Sequence, residues 1–272
     1  MSADHVIIGD CELWRGDALE ILPALEAGTV DMVFADPPFG HNNNNGDLIS
    51  RREAALGVPK IGRPRPIRNG GQEANQLFQS SLPEMSRVLK PGCCCCCCCC
   101  GGGPDPQFAR WSLWLDEVFQ FKQMVIWDKG PMGMGWHYRR SYETVLVAQK
   151  PGAQCRWFGG RSAENILRPG VHGIRKIIPK ANQHPTQKPV ELAMHFICLH
   201  TQPGDLVLDP FMGSGTTGMA CLRTDRRFVG IEIEATFFEG ACDRIRQEWD
   251  HKVGEGPLLR TGEPKVAEVG RS

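Results

Sequence analysis

The chain reads as an α/β protein with a mostly parallel, doubly wound sheet, and three stretches carry that prediction. An apolar run, Val30-Asp31-Met32-Val33-Phe34-Ala35, ends on Asp36-Pro37-Pro38-Phe39. A second run, Asp205-Leu206-Val207-Leu208-Asp209, leads through Pro210-Phe211-Met212 into Gly213-Ser214-Gly215-Thr216-Thr217-Gly218. A third, Phe228 to Glu232, precedes the amphipathic stretch Ala235 to Trp249. Short apolar runs closed by proline, glycine or an acid, and alternating with helical spacing, are the pattern of crossover units.

Taken in order, His5–Ile8 and Glu12–Arg15 read as short strands, and Asp17 after Gly16 reads as the N-cap of a helical turn through Leu22. The strand ending at Ala35 follows, and the two prolines forbid its continuation. Residues 40–71, with four consecutive asparagines and Pro59, Pro64 and Pro66, are too long and polar for a tight connection and predict a lid or mobile loop. Gln72 to Leu89 has helical spacing despite Pro83. Eight consecutive cysteines, Cys93 to Cys100, come next. Neighbouring residues of a strand face opposite ways, so the block is no disulfide framework, and it lacks the paired spacing of a zinc site. Free cysteine behaves as a small hydrophobe, which makes this a central strand; metal binding by the block is the competing reading. A helix over Pro106–Phe119, strands at Met124–Trp127 and Thr144–Val147, and a proline-started helix over Pro189–His200 complete the pattern. From Gly254 the composition predicts a disordered tail.

At 272 residues, with 41% hydrophobic and 23% charged residues, the chain is long enough for one large core. No apolar stretch reaches membrane-span length and the N-terminus lacks a signal pattern, so a cytoplasmic protein is expected. Net charge is zero, but Arg51, Arg52, Lys60, Arg63, Arg65 and Arg68 lie close together, and residues 139–180 carry nine basic residues against two acidic. Two basic segments on a neutral chain fit a polyanion, or are solvated loops.

The chemistry concentrates at strand ends, where open α/β sheets bind ligands. Asp36 and the carbonyl of Pro37 can accept hydrogen bonds from an exocyclic amino group, and Phe39 can stack on the ring that bears it. The glycines after Asp209 let the backbone approach a ligand at a helix N-terminus, and Glu232 is placed to accept ribose hydroxyls. The string satisfies G-x-G-x-x-G, which also fits a nicotinamide dehydrogenase, but too little chain follows Glu232 to complete a dinucleotide sheet.

The order of these pieces resembles that of a circularly permuted amino-methyltransferase of the β class, the bacterial and phage DNA adenine-N6 and cytosine-N4 methylases. Asp36-Pro37-Pro38-Phe39 matches the catalytic motif, Asp209–Thr216 the S-adenosylmethionine motif, His184-Pro-Thr-Gln-Lys188-Pro189 the segment before the cofactor strand, and Gly16-Asp17 the position meeting the cofactor adenine. Trp127–Lys129 through Tyr142–Glu143 is similar to the family's hairpin. The resemblance implies a seven-stranded Rossmann-like sheet with an antiparallel hairpin and a short target-recognition insertion at residues 150–183. The catalytic part would be residues 1–149 and the cofactor part 184–252, with a tail over 253–272.

It further implies S-adenosylmethionine as cofactor and direct methyl transfer to a flipped base, with no metal and no covalent intermediate. The catalytic residues would be Asp36, Pro37, Pro38 and Phe39. The cofactor would meet Asp17, Ala18, Asp36, His184, Thr186, Lys188, Pro189, Asp209, Pro210, Phe211, Gly213, Ser214, Gly215, Thr216 and Glu232. Arg51, Arg52, Arg63, Arg65, Arg139, Arg140 and Lys176 would grip DNA. Aspartate at the first motif position favours adenine N6; cytosine N4 and an RNA target are the alternatives. A homodimer and a cognate restriction nuclease are partners the resemblance leaves open.

Overall fold

The computed structural model describes residues 4–38, 71–99, 107–130, 137, 141–174 and 187–254. Among the described residues nine strands form one sheet: β1 (Asp4–Ile8), β2 (Cys11–Arg15), β3 (Val30–Ala35), β4 (Leu89–Cys99), β5 (Gln120–Asp128), β6 (Tyr142–Gln149), β7 (Ile166–Leu167), β8 (Leu206–Asp209) and β9 (Arg227–Glu232). Their order is β1-β2-β9-β8-β3-β4-β6-β5-β7. The run from β2 to β4 is parallel, β6 is antiparallel to both β4 and β5, and β1 adds an antiparallel edge. The seven expected strands are therefore the stretch from β2 to β5, and the edge strand β1 and two-residue β7 bring the sheet to nine.

Helices α1 (Ala18–Ile21), α2 (Gly71–Val88) and α3 (Gln107–Val118) cover one face, and α4 (Val190–His200), α5 (Thr216–Arg223) and α6 (Ala235–Gly254) the other. The cysteine strand shows why both faces need apolar residues. Cys93, Cys95 and Cys97 pack with Phe78, Met85, Trp111 and Leu115, while Cys94, Cys96 and Cys98 pack with Phe34, Phe196 and Val147. Successive side chains of a strand alternate faces, so a run of one small apolar residue type fills both layers of a central strand. Pairing of β4 with β3 and β6 confirms its central place.

The strands run beyond the sequence reading, with β4 starting at Leu89, β5 at Gln120 and β6 covering Tyr142–Gln149, and two helix ends shift as well. The helical turn opened by Asp17 ends at Ile21 and tightens into a 3₁₀ turn over Leu22–Ala24, because Pro23 cannot continue an α-helix. Helix α6 runs to Gly254, so Val253 and Gly254 are helical and not part of a tail. Its last turn is fastened by Lys252, whose ammonium donates to Leu222 O at 2.8 Å and pairs with Asp225 at 2.9 Å.

The amino end of the sheet is tied by charge. Asp31, at the start of β3, accepts hydrogen bonds from Lys90 at 2.8 Å, Arg156 at 2.6 Å and the Leu206 amide at 3.0 Å. Arg156 also reaches Asp205 at 2.8 Å, and so joins β3 to the approach to β8. The backbone around it is held too: Lys150 N donates to Cys93 O and Arg156 N to Gly92 O. The first part of the 150–183 insertion thus lies at the end of the sheet opposite Asp36. The chain then crosses to β7, which pairs with Ile126 and Trp127 near the carboxyl end of β5.

Candidate functional site at the carboxyl ends of β3, β8 and β9

Three acids stand at the ends of three neighbouring parallel strands: Asp36 after β3, Asp209 closing β8 and Glu232 closing β9. Each is in a different state. Asp36 is bound on both oxygens by the Lys188 ammonium, at 2.9 and 2.7 Å, although 152 residues separate them. Burial pushes the Asp36 carboxyl above its ordinary pKa, opposed by the charge and hydrogen bonds of Lys188. Lys188 is itself buried and lies 3.7 Å from Glu143, whose other oxygen holds Lys129 at 2.5 Å.

Asp209 is 2% exposed and accepts from Thr217 Oγ1 at 2.5 Å and from the Phe211 amide at 3.0 Å. Burial pushes its pKa up to about 7, with Asp36 and Glu232 adding to the rise and those hydrogen bonds opposing it. Its role is to hold the turn and helix α5 to the end of β8. Glu232 is also raised by burial, and its two oxygens take the Gly213 amide at 3.0 Å and the Glu234 amide at 2.8 Å. Those bonds aim the carboxylate at the glycine turn.

The turn from β8 to α5 is the part a ligand can approach. Gly215 is the N-cap of α5 with φ +76°, a left-handed conformation that a side chain resists. A Cβ there would stand 3.0 Å from the Ala241 methyl, so the turn also packs against α6. Phe211 and Gly213 are half-buried, whereas Pro210, Ser214 and Thr216 are buried. Thr216 Oγ1 donates to Lys188 O at 3.4 Å, joining this turn to the segment that carries the Asp36 partner. Arg244 on α6 donates to Ser214 O.

Asp17 caps α1, its side chain accepting from the Leu19 amide at 2.8 Å, and Ala18 is buried. The same turn is bound to the end of β9 by Gly16 N donating to Glu232 O at 3.0 Å. Asp17 therefore stands beside Glu232, and its capping role leaves it in that corner. Pro189 is the N-cap of α4 and is buried beside Lys188. Pro37 is buried and Pro38 half-buried directly after Asp36. Phe39, His184, Thr186, Arg51, Arg52, Arg63, Arg65, Arg139, Arg140 and Lys176 lie outside the described residues, as do most of the 40–71 loop and residues 255–272.

Two residues were missed as site residues in the sequence reading, Lys129 and Glu143. They flank the β5–β6 hairpin, where Trp127 pairs with Glu143 and Lys129 N donates to Ser141 O. Opposite charges at the base of a predicted hairpin were the available signal.

The sequence profile of the DNA methylase family (N6_N4_Mtase) matches residues 30–243. This chain belongs to that DNA methylase family. It is 28% identical over 252 residues to the type II methyltransferase M2.DpnII of Streptococcus pneumoniae, covering 87% of this chain and 90% of that protein. It is 28% identical over 262 residues to the DNA adenine methyltransferase YhdJ of Escherichia coli K12, covering 85% and 81%. Among solved structures, the M1.HpyAVI–SAM complex superposes with a TM-score of 0.60 at 25% identity, over 86% of this chain and 98% of the other. The cytosine-N4-specific PvuII DNA methyltransferase shares the fold, with a TM-score of 0.63 at 18% identity over 91% and 94%. The resemblance stated from motifs alone and the family agree.

Proposed function

We propose that the protein transfers a methyl group from S-adenosylmethionine to the exocyclic N6 of adenine in DNA. The observation that carries this is the row of strand-end acids, with Asp36 on β3 next to the glycine turn on β8 and Glu232 on β9. Support for adenine comes from aspartate at the first motif position and from the relative named as an adenine methyltransferase. Support for the cofactor comes from the SAM complex of the similar M1.HpyAVI.

The residues present fit that cofactor. A left-handed glycine turn opens a helix at the end of β8, and a carboxylate one strand over can accept hydroxyls. Gly213, Gly215 and Thr216 would hold its methionine side, Glu232 its ribose and the Asp17–Ala18 turn its adenine. When bound, the cofactor supplies an electrophilic methyl group on a sulfonium.

The protein's own part is positioning. A base inside a duplex hides its amino group, so it is flipped into the pocket. The Asp36 carboxylate and Pro37 carbonyl would accept the two N–H bonds and so orient the amino nitrogen, and Phe39 would stack on the ring. Because the reacting groups are held in line, no protein nucleophile is needed.

Residues 1–149 and 184–254 would act as two parts of one catalytic domain in permuted order. Target recognition would fall to the 150–183 segment together with the 40–71 loop, except for residues 150–158, which lie at the other end of the sheet. Arg51, Arg52, Arg63, Arg65, Arg139, Arg140 and Lys176 would meet phosphates. A cytoplasmic location, a homodimer and a cognate restriction nuclease belong to this proposal only as what the family resemblance leaves open.

The test is methyl transfer from labelled S-adenosylmethionine to unmethylated DNA, followed by nucleoside digestion and mass analysis. N6-methyladenine confirms the reading. N4-methylcytosine keeps the family and corrects the base, and no labelled DNA despite cofactor binding refutes the DNA assignment.

A further inference from the structure

Lys188 occupies the oxygens of Asp36 that the target amino group needs. Its Nζ donates to both, at 2.9 and 2.7 Å. An ammonium only donates, as does the incoming N–H, so the two compete for one carboxylate. Each oxygen keeps a further lone pair, but an anion neutralised by an ammonium is a weaker acceptor for a neutral amine.

A second carboxylate faces the same ammonium. Glu143 Oε2 lies 3.7 Å from Lys188 Nζ, and Glu143 Oε1 is fixed by Lys129 at 2.5 Å. Side-chain exposures of 8% for Lys188 and 15% for Glu143 put the pair out of bulk water. Movement of Nζ by about 1 Å would bring the contact to charge-assisted hydrogen-bond length. Asp209, on the neighbouring strand, already gives its oxygens to Thr217 and the Phe211 amide. Glu232, one strand further, accepts two backbone amides. The four charges Lys129, Glu143, Lys188 and Asp36 sum to zero, and the movement preserves that sum.

We propose that Lys188 is shared between two carboxylates, held on Asp36 until the base arrives and passed to Glu143 as the base is seated. Glu143, with Lys129 behind it, is then a positioning residue that clears Asp36 for the substrate without stranding a buried ammonium. This rests on the reading of Asp36 as acceptor of the amino group.

The experiment is a mutant cycle on the full-length protein, with cofactor binding followed by calorimetry. With Glu143→Gln, kcat/KM for DNA should fall roughly ten- to a hundredfold, the range for a hydrogen bond to a charged group. Cofactor affinity should stay within about threefold, since the bonds at Glu232 and the glycine turn are untouched. Glu143→Asp should restore part of the rate. The double variant Glu143→Gln/Lys188→Met should be more active at saturating cofactor than Glu143→Gln alone, because the ammonium blocking Asp36 is gone. A merely structural Glu143 would make the double variant no better, and that result, or an unimpaired Glu143→Gln, overturns the proposal.

A wild type that labels no DNA refutes the functional reading separately. The sharing is then read without DNA from the Asp36 carboxyl carbon resonance, assigned with Asp36→Asn. Its titration midpoint should fall in Glu143→Gln and rise in Lys188→Met, and an unmoved midpoint in both overturns the sharing.

Discussion

Replacing Asp31 by asparagine isolates the ionic tie at the amino end of the sheet. The side chain is 3% exposed and carries Lys90, Arg156 and the Leu206 amide on its two oxygens. Asparagine keeps the shape but loses the charge, and with its oxygen left to Lys90 and Arg156 it turns an NH₂ toward the Leu206 amide. Breaking a fully buried pair costs about 3–5 kcal/mol. Here the partners are 41% and 30% exposed, so water recovers part of their solvation, and Arg156 keeps Asp205. A loss of about 2 kcal/mol follows, between the buried and the surface limits. At ~2–4 °C per kcal/mol for a chain of this size, the Tm should drop by about 4–8 °C.

The pH dependence fixes the sign. Burial alone would raise the Asp31 carboxyl, but the Leu206 amide, Lys90 and Arg156 together hold it below its ordinary value. The stabilisation is therefore complete above the unfolded aspartate pKa of about 3.9 and is lost as pH falls through the lower folded value. Urea denaturation followed by tryptophan fluorescence should show a constant gap between variant and wild type from pH 5 to 8 that closes in stronger acid. Methyl transfer at 25 °C should be unchanged, because about five strand residues, or ~16 Å, separate Asp31 from Asp36. Equal stability at neutral pH, or a gap that persists in acid, would refute the tie; lost activity in a stable variant would refute the separation of the two ends.

Four other outcomes are expected. Asp36→Ala should lower methyl transfer by roughly 10²–10³-fold while cofactor binding persists, checked by labelled transfer and calorimetry. Glu232→Gln turns an NH₂ toward a backbone amide that the carboxylate now accepts, and should weaken cofactor binding about tenfold. Gly215→Ala forces a side chain into φ +76° and 3.0 Å from Ala241, and should cost about 2 kcal/mol in urea denaturation. Iodoacetamide at pH 8 should alkylate exposed Cys155 in the native protein, whereas Cys93–Cys98 react only after unfolding. Those thiols are buried, and burial raises the pKa of Cys93, Cys94 and Cys96. Mass spectrometry of the peptides reads the difference.

The parts legible in the sequence are those with local causes. The β3 run is apolar and closed by two prolines, the β8 turn needs glycine at a left-handed position, and α6 shows its spacing. The alternating use of the cysteines followed from strand periodicity alone. What stayed hidden depends on residues far apart in the chain. The motif puts Lys188 beside the cofactor, and only the fold puts it on Asp36, 152 residues away. Arg156 looked like part of a basic footprint, yet it is spent on Asp31 and Asp205, 125 and 49 residues distant. A charge census cannot tell a phosphate ligand from an internal tie, because the partner leaves no trace in the neighbouring sequence. Strand β7 was missed for another reason: two residues are too few to show alternation.

The placement of β3 has a consequence for how the protein is made. One of its edges pairs with β4, but the other waits for β8, which meets it at Met32↔Val207 and Val33↔Leu208. Roughly 170 residues must be synthesised in between, which at 5–20 residues per second is on the order of ten to thirty seconds. During that interval the growing chain carries Asp36 without Lys188, and an apolar strand with an open edge beside a row of thiols. Enzymatic competence therefore arrives only when the last quarter of the chain docks, and until then that edge is open to pairing with another chain.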